Sequence, residues 1–433
     1  MNVYDSQRIA ITLQKLGYEE TTSQSAADIV IFNTCHIREK AAEKVFSDLG
    51  RALLIKNERA EKGLKTIIGV CGCVVQAEDE QISKRAPFVD FATGPLTYHR
   101  IPEILSRLTS SEEPIIDTEF PGESKFDSLP QNYAKGSCSY LAIQEGCNNF
   151  CTYCVVPYTR GVEYSRPIED VIAEAKNLIQ SGTLEINLLG QNVNSYHGED
   201  KNGKERNLAY LLKRMSELDG LKRLRYTTSY PADMDDELIS CHKDLPQLMP
   251  YLHLPIQSGS DRILKAMNRR HTKDDYIRVI DKLKQANPLI GMSSDFIVGF
   301  PGETDEDFQN TLDVVNYVQY IQAFSFKYSK RPGTPAAIMP NQIEEKIKKE
   351  RLDILQNRLF ELQNKFNHAC VGKVVPVLFE TNGRHKGQLI GRTPYMQNLH
   401  AELNKNYLNQ IVEIEITEAT TNSLSGKPAK IGG

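Results

Sequence analysis

Three of the nine cysteines crowd into one run, Gly146-Cys147-Asn-Asn-Phe-Cys151-Thr-Tyr-Cys154. Thiolates at this C-x3-C-x2-C spacing suit an iron–sulfur cubane with three protein ligands and one open iron. Zinc and inert buried thiols are the alternatives, but structural zinc calls for four closed ligands, and no partner Cys or His lies immediately adjacent. Cys35 and Cys73 come next, because each follows an apolar strand-like run, Asp28 to Asn33 and Thr66 to Val70. Open α/β sheets bind ligands at such carboxyl ends of strands. Cys71, two residues before Cys73, reads as a small buried hydrophobe, and Cys138, Cys241 and Cys370 as core or surface thiols. Arg160 and Arg166 suit bidentate contact with a cofactor carboxylate or a substrate phosphate, solvated surface arginine being the other reading.

The elements that must position these residues are legible in the hydrophobic pattern. Helical spacing runs from Asp5 to Leu16, and a charged helical stretch from Ile37 to about Asn57 separates the two strand runs. Repeated strand, loop and helix units argue an N-terminal open parallel α/β sheet. From Pro114 to Lys135 a polar stretch with Pro121-Gly122 and Pro130 reads as a linker. Beyond it six strand candidates alternate with helices: Ser139 to Gln144, Leu184 to Gly190, Arg223 to Thr228, Tyr251 to Pro255, Ser293 to Gly299 and Ala323 to Tyr328. Six such units imply a partial (βα)6 barrel. A charged amphipathic run from Asn341 to about His368 reads as one long helix. The remainder turns to short β-rich runs, Val374 to Phe379, Leu389 to Gly391 and Ile411 to Ile416, expected to close as a small all-β barrel of the oligonucleotide-binding kind. The domain bounds are thus 1–120, 133–367 and 370–433.

A chain of 433 residues, 40% hydrophobic and 25% charged, has material for two or three cores. Its net charge of −4 excludes a global basic field, so nucleic-acid binding must be local. In the last segment seven Lys/Arg face five Asp/Glu, with Arg384, His385, Lys386 and Arg392 as the candidate basic set. No apolar run is long enough to span a bilayer and Met1 to Arg8 has no signal-peptide character, so a cytosolic protein with reduced thiols is expected.

The cysteine run, with Tyr153 before its last Cys at the first strand end of a (βα) barrel, resembles the radical S-adenosylmethionine enzymes. Flanking blocks narrow the resemblance to the methylthiotransferases: Cys154-Val-Val-Pro-Tyr-Thr-Arg-Gly161, Leu188-Leu-Gly-Gln-Asn-Val-Asn194, His253-Leu-Pro-Ile-Gln-Ser-Gly-Ser260 and Asp295-Phe-Ile-Val-Gly-Phe-Pro-Gly-Glu-Thr304. The N-terminal Asn33-Thr-Cys-His-Ile-Arg-Glu-Lys-Ala41 and Gly72-Cys73 agree, and the last segment is similar to the RNA-binding TRAM domain. The resemblance implies a 4Fe-4S cluster on Cys147, Cys151 and Cys154 that chelates S-adenosylmethionine. It implies a second 4Fe-4S cluster held in part by Cys35 and Cys73, and cofactor contacts from Gly299 and Glu303; the local pattern at Gly299 to Glu303 also fits a plain tight turn. The family's third auxiliary cysteine falls two residues before Met1, and a true start further upstream is the expectation. Asn33 to Gly50 and Tyr251 to Thr272 look most like the branch that thiomethylates N6-isopentenyladenosine beside the tRNA anticodon. A ribosomal-protein aspartate, threonylcarbamoyladenosine in tRNA, or tRNA binding with one cluster and no thiomethylation are the rivals. The expected partners are a tRNA anticodon loop and an electron-donor protein, with no membrane, for a monomer. No residue is assigned as catalytic.

Overall fold

A computed structural model describes residues 1–35, 39–110 and 113–429. Residues 36–38, where the Asn33 to Ala41 block continues and the second helix was expected to start, lie outside them, as does Lys430.

The chain forms two compact units, the first made of Met1–Asn132 together with Glu145–Asn148 and Cys154–Tyr164. Its sheet has four parallel strands in sequence order: β1 (Ile29–Thr34), β2 (Ile67–Gly72), β3 (Phe91–Thr93) and β4 (Ile115–Asp117). Alternation along the strands divides the core into two faces. Ile68, Val70 and Ala92 pack with Leu49 and Ala52 of α2 (Glu39–Ala60) and Val74 and Ile82 of α3 (Cys73–Arg85). Cys71 and Phe91 face Ile9 of α1 (Asn2–Gln14) and Ile101, Ile104 and Leu105 of α4 (Ile101–Arg107). β4 falls inside the stretch expected to be a linker. It was missed because three residues carry too short an apolar pattern to stand out from a polar, proline-bearing segment.

The second unit comprises Tyr133–Gln144, Asn149–Tyr153 and Ser165–Gly433. Its six parallel barrel strands lie within two residues of their expected bounds: Cys138–Ala142, Glu185–Leu189, Arg223–Tyr226, Tyr251–His253, Gly291–Val298 and Gln322–Lys327. They are hydrogen-bonded as two groups of three, so the barrel is open as expected. Leu141, Ile186, Leu188, Leu224, Leu252, Met292 and Phe296 of these strands pack with the surrounding helices in one core. The helix Glu345–His368 leads into a closed five-stranded barrel, Val374–Asn382, Gln388–Arg392, Asn398–Glu402, Ser423–Pro428 and Ile411–Ala419 in hydrogen-bonded order. Two of its strands, Asn398–Glu402 and Ser423–Pro428, went unread. The first places only Leu399 and Ala401 in the core, and the second Leu424 alone.

Candidate active site

The cysteine run leaves the first barrel strand through a turn that only glycine permits. Gly146 has φ 77°, and a Cβ there would collide with the Val162 carbonyl. In the first unit the Cys147 amide donates to the Gly161 carbonyl at 3.3 Å, and the Glu163 amide to Asn148 Oδ1 at 3.0 Å. In the second unit Thr152 is pinned by its hydroxyl to the Ala266 carbonyl at 2.9 Å, and its amide donates to Met267. Asn268 Nδ2 donates to the carbonyls of Asn149 and Phe150, both at 3.0 Å. Arg269 is half-buried over the Tyr230 ring at 4.2 Å and turns Nη1 to Cys151 Sγ at 3.9 Å. Arg270 reaches Asn149 Oδ1 at 2.9 Å. Asn268, Arg269 and Arg270 were not singled out from the sequence; the signal was an Asn-Arg-Arg run inside a block noted only for its resemblance. All nine cysteines are free thiols. Among the described residues no three His, Cys, Asp or Glu side chains converge as ligands of a single metal ion. The donor set, three thiols on a braced loop with a half-buried guanidinium beside one of them, fits a cubane, whose ligands each take a different iron.

Cys35 and Cys73 emerge side by side. β1 and β2 are in register with Thr34 opposite Gly72, so the residue after each strand pair is a cysteine. Gly72, at φ 100°, lets the backbones close: a Cβ there would stand 2.5 Å from the Thr34 carbonyl oxygen. Thr34 ties the two strand ends, its hydroxyl donating to the Cys71 carbonyl at 2.7 Å and accepting from the Val74 amide at 3.3 Å. Cys71 takes the opposite side of β2. It is 1% exposed in the α1/α4 core, and burial pushes its thiol up to about 12, as a small hydrophobe's should be.

A buried charge network lies in the same unit. Arg160 bridges Asp5 Oδ2 (2.9 Å) and Glu145 Oε1 (2.5 Å), and Lys125 bridges Glu145 Oε1 (2.7 Å) and Asp5 Oδ1 (3.4 Å). None of the four side chains is more than 4% exposed. Burial raises the Asp5 carboxyl, but Lys125 and Arg160 outweigh it and hold it at about 2. Arg160 is thus neither a free anion contact nor a solvated surface residue. Arg166 is not either: it is buried against Glu174 at 2.8 Å and donates to the Ala142 carbonyl. Glu303, buried, accepts from the Gly299 amide and Arg351 Nη1, both at 2.7 Å, while Gly299 at φ 70° abuts the Lys348 side chain. The visible work of this pair is to close a turn against the long helix.

The remaining alternate residues of the barrel strands form a polar concave face. His253 Nδ1 meets Ser293 Oγ at 3.0 Å and its Nε2 lies 3.5 Å from Asp295, with Phe324 edge-on at 6.0 Å. Near the strand starts Glu185, wholly buried, pairs with Arg225 (3.0 Å) and Arg223 (3.6 Å). Their remaining nitrogens donate to carbonyls of the small barrel: Arg223 to Arg392 and Pro376, Arg225 to Pro394 and Thr393. Cys138 joins this cluster 3.8 Å from Glu185, whereas Cys241 and Cys370 are core thiols. Arg384, His385 and Lys386 are exposed on the small barrel, and Arg392 leans on Glu380 at 3.5 Å.

Three family models match the chain: "Uncharacterized protein family UPF0004" over residues 1–94, the radical SAM superfamily over 141–315 and the TRAM domain over 368–429. The tRNA-2-methylthio-N(6)-dimethylallyladenosine synthase of Rickettsia rickettsii (strain Sheila Smith) is 52% identical over 430 residues, 99% of this chain and 97% of that protein. Among solved structures, the radical S-adenosylmethionine methyltransferase TsrM from Kitasatospora setae aligns with a TM-score of 0.56 at 14% identity, covering 77% of this chain and 74% of that one. The cobalamin-dependent radical enzyme OxsB aligns at 0.54 and 13% identity, covering 83% and 55%. At that identity the likeness is one of fold. Among the described residues no helix is long and apolar enough to cross a membrane. A near-full-length relative at this identity, over a barrel with the cysteine run at its first strand end, leaves one conclusion: the chain belongs to the radical S-adenosylmethionine methylthiotransferase family.

Proposed function

We propose that this enzyme adds a methylthio group to C2 of N6-isopentenyladenosine beside the tRNA anticodon. The observation that carries the reading is the 52% identity, spread over 99% of the chain, to a protein named for that reaction. Cys147, Cys151 and Cys154 would hold the radical-generating cluster, and Cys35 and Cys73 would help hold an auxiliary one. When bound, the first cluster and S-adenosylmethionine supply the electron transfer and hydrogen abstraction that open the C2–H bond, chemistry that belongs to the cofactor. The chain's own residues bind and orient. Gly146 and Asn268 fix the loop that carries the thiols, and Arg269 sets a half-buried positive charge against Cys151. The pairing of Thr34 with Gly72 sets Cys35 and Cys73 at neighbouring strand ends. The exposed Arg384, His385 and Lys386 supply phosphate contacts for an RNA loop, the RNA form in which bases are unstacked and open to reaction.

The test is mass spectrometry of tRNA nucleosides from a deletion strain complemented with this chain. Restoration of the methylthio form of isopentenyladenosine supports the reading. Loss of a modified ribosomal-protein aspartate or of methylthio-threonylcarbamoyladenosine instead would replace it. Cys147→Ala/Cys151→Ala/Cys154→Ala should abolish both complementation and cleavage of S-adenosylmethionine.

A further inference from the structure

Two blocks singled out in the sequence, Leu188 to Asn194 and His253 to Ser260, are joined through one side chain, Arg269, and that side chain ends on a thiol. Asn194 holds Tyr230 by both backbone groups: its Nδ2 donates to the Tyr230 carbonyl at 2.8 Å, and its Oδ1 accepts from the Tyr230 amide at 2.7 Å. The Tyr230 hydroxyl accepts from the Arg270 amide at 2.7 Å, so the ring is tethered at both ends. Over that ring, at 4.2 Å, lies the Arg269 guanidinium; Nη2 donates to the Pro255 carbonyl and Nη1 faces Cys151 Sγ at 3.9 Å. The residues on either side grip the same loop. Phe150 sits at φ 47°, a left-handed conformation uncommon outside glycine, and Asn268 secures it by holding the Asn149 and Phe150 carbonyls, while Arg270 holds Asn149 Oδ1. The backbone of the loop is thus braced without Arg269. What Arg269 adds is a donor and a charge at the sulfur. To a neutral thiol, a weak acceptor, that contact contributes little, whereas to a thiolate ligand it is charge-assisted. Outer partners of this kind orient ligands, and hydrogen bonds to the sulfurs set a 4Fe-4S cluster's potential.

We propose that Arg269 is a positioning residue of the radical site: seated on Tyr230, it fixes the Cys151 side chain by donating to its sulfur, and its charge favours the reduced state of the cluster. The inference rests on the reading of Cys147, Cys151 and Cys154 as the ligands.

The experiment is an EPR-monitored redox titration of the reconstituted 433-residue chain carrying Cys35→Ala and Cys73→Ala, in which the cysteine run is the remaining cluster site. Arg269→Met should move the midpoint to more negative potential at unchanged iron content, and Arg269→Lys, which keeps the charge without the fork, should recover part of the shift. Tyr230→Leu, which removes the ring that seats the guanidinium, should shift the midpoint the same way. The Arg269→Met/Tyr230→Leu pair should shift it no further than Arg269→Met alone. Tyr230→Leu keeps the proposal testable if Arg269→Met fails to fold. A midpoint that neither substitution moves, with iron fully loaded, would overturn the proposal, and shifts that add in the pair would overturn the seating on Tyr230. Iron retained when Cys147, Cys151 and Cys154 are also replaced by alanine would overturn the ligand reading itself, a different failure seen in iron analysis rather than in any midpoint.

Discussion

Replacing Arg225 by methionine should unseat the small barrel from the radical domain. Arg225 makes three hydrogen bonds: to Glu185 Oε1 at 3.0 Å, to the Pro394 carbonyl at 2.7 Å and to the Thr393 carbonyl at 3.1 Å. Glu185 is 0% exposed, and after the substitution its charge keeps Arg223 at 3.6 Å, the Asn187 amide at 3.1 Å and the Cys138 thiol at 3.8 Å. Burial raises the Glu185 carboxyl, but Arg225 first, then Arg223, outweigh it and hold it below its ordinary value; the ion pair is thus formed at neutral pH. Breaking a buried pair from one side costs about 3–5 kcal/mol. Two carbonyls losing their donors add about 1 kcal/mol each. The expected loss is therefore about 5 kcal/mol, reduced by whatever water enters. Because the chain has no tryptophan, the assay is urea unfolding followed by far-UV circular dichroism. The small barrel should melt in a separate, earlier transition, and Arg225→Lys, with one charge and no fork, should recover only part of the loss. A single transition shifted by less than about 1 kcal/mol would refute the reasoning.

Four further outcomes follow from the geometry. Gly146→Ala forces a left-handed residue, worth about 1–2 kcal/mol, into contact with the Val162 carbonyl, so the protein should lose the iron of the radical site and its cleavage of S-adenosylmethionine. Iron analysis reads it, and a fully loaded variant would sink the argument. Cys71→Ala should leave iron content unchanged whereas Cys73→Ala lowers it, since Cys71 is sealed in the α1/α4 core. Asp5, at about 2 in the folded chain against an ordinary 3.8, lends stability that is complete above about pH 4 and fades as pH falls toward 2, about 2 kcal/mol in all. Asp5→Asn should remove that acid limb from the pH–stability curve of the cluster-free protein, and an unchanged limb would count against the pairing. Glu303→Gln should cost about 1.5–3 kcal/mol of stability through Arg351; weaker S-adenosylmethionine binding at unchanged stability would assign Glu303 to the cofactor instead of to the turn.

The barrel strands were legible as short apolar runs between helical stretches, and one of them, Arg223, Leu224, Arg225 and Tyr226, alternates residue by residue between the apolar core and a charged face. The four-stranded N-terminal sheet was half legible. β1 and β2 carry long apolar runs, but β3 and β4 have three residues each, below the length at which period two can be told from chance. The cysteine run announced itself by spacing alone. The closeness of Cys35 and Cys73 needed the strand register, which places Thr34 opposite Gly72 and which no local pattern encodes.

What the sequence hid is the company each charge keeps. Asp5 meets Lys125 and Arg160 across 120 and 155 residues of chain, so neither periodicity nor spacing could pair them. A lone arginine in a motif invites either an anionic ligand or solvent as its partner, the two readings open for Arg160 and Arg166 in the sequence. The fold supplies a carboxylate for each instead, Asp5 with Glu145 and Glu174. Arg269 is the opposite case. Its side-chain neighbours are a cysteine of the run, Cys151, and the Tyr230 ring face, and it donates to the Pro255 carbonyl. A guanidinium set against a ring, a carbonyl and a thiol is a feature of the packing, not of the motif in which the arginine is written.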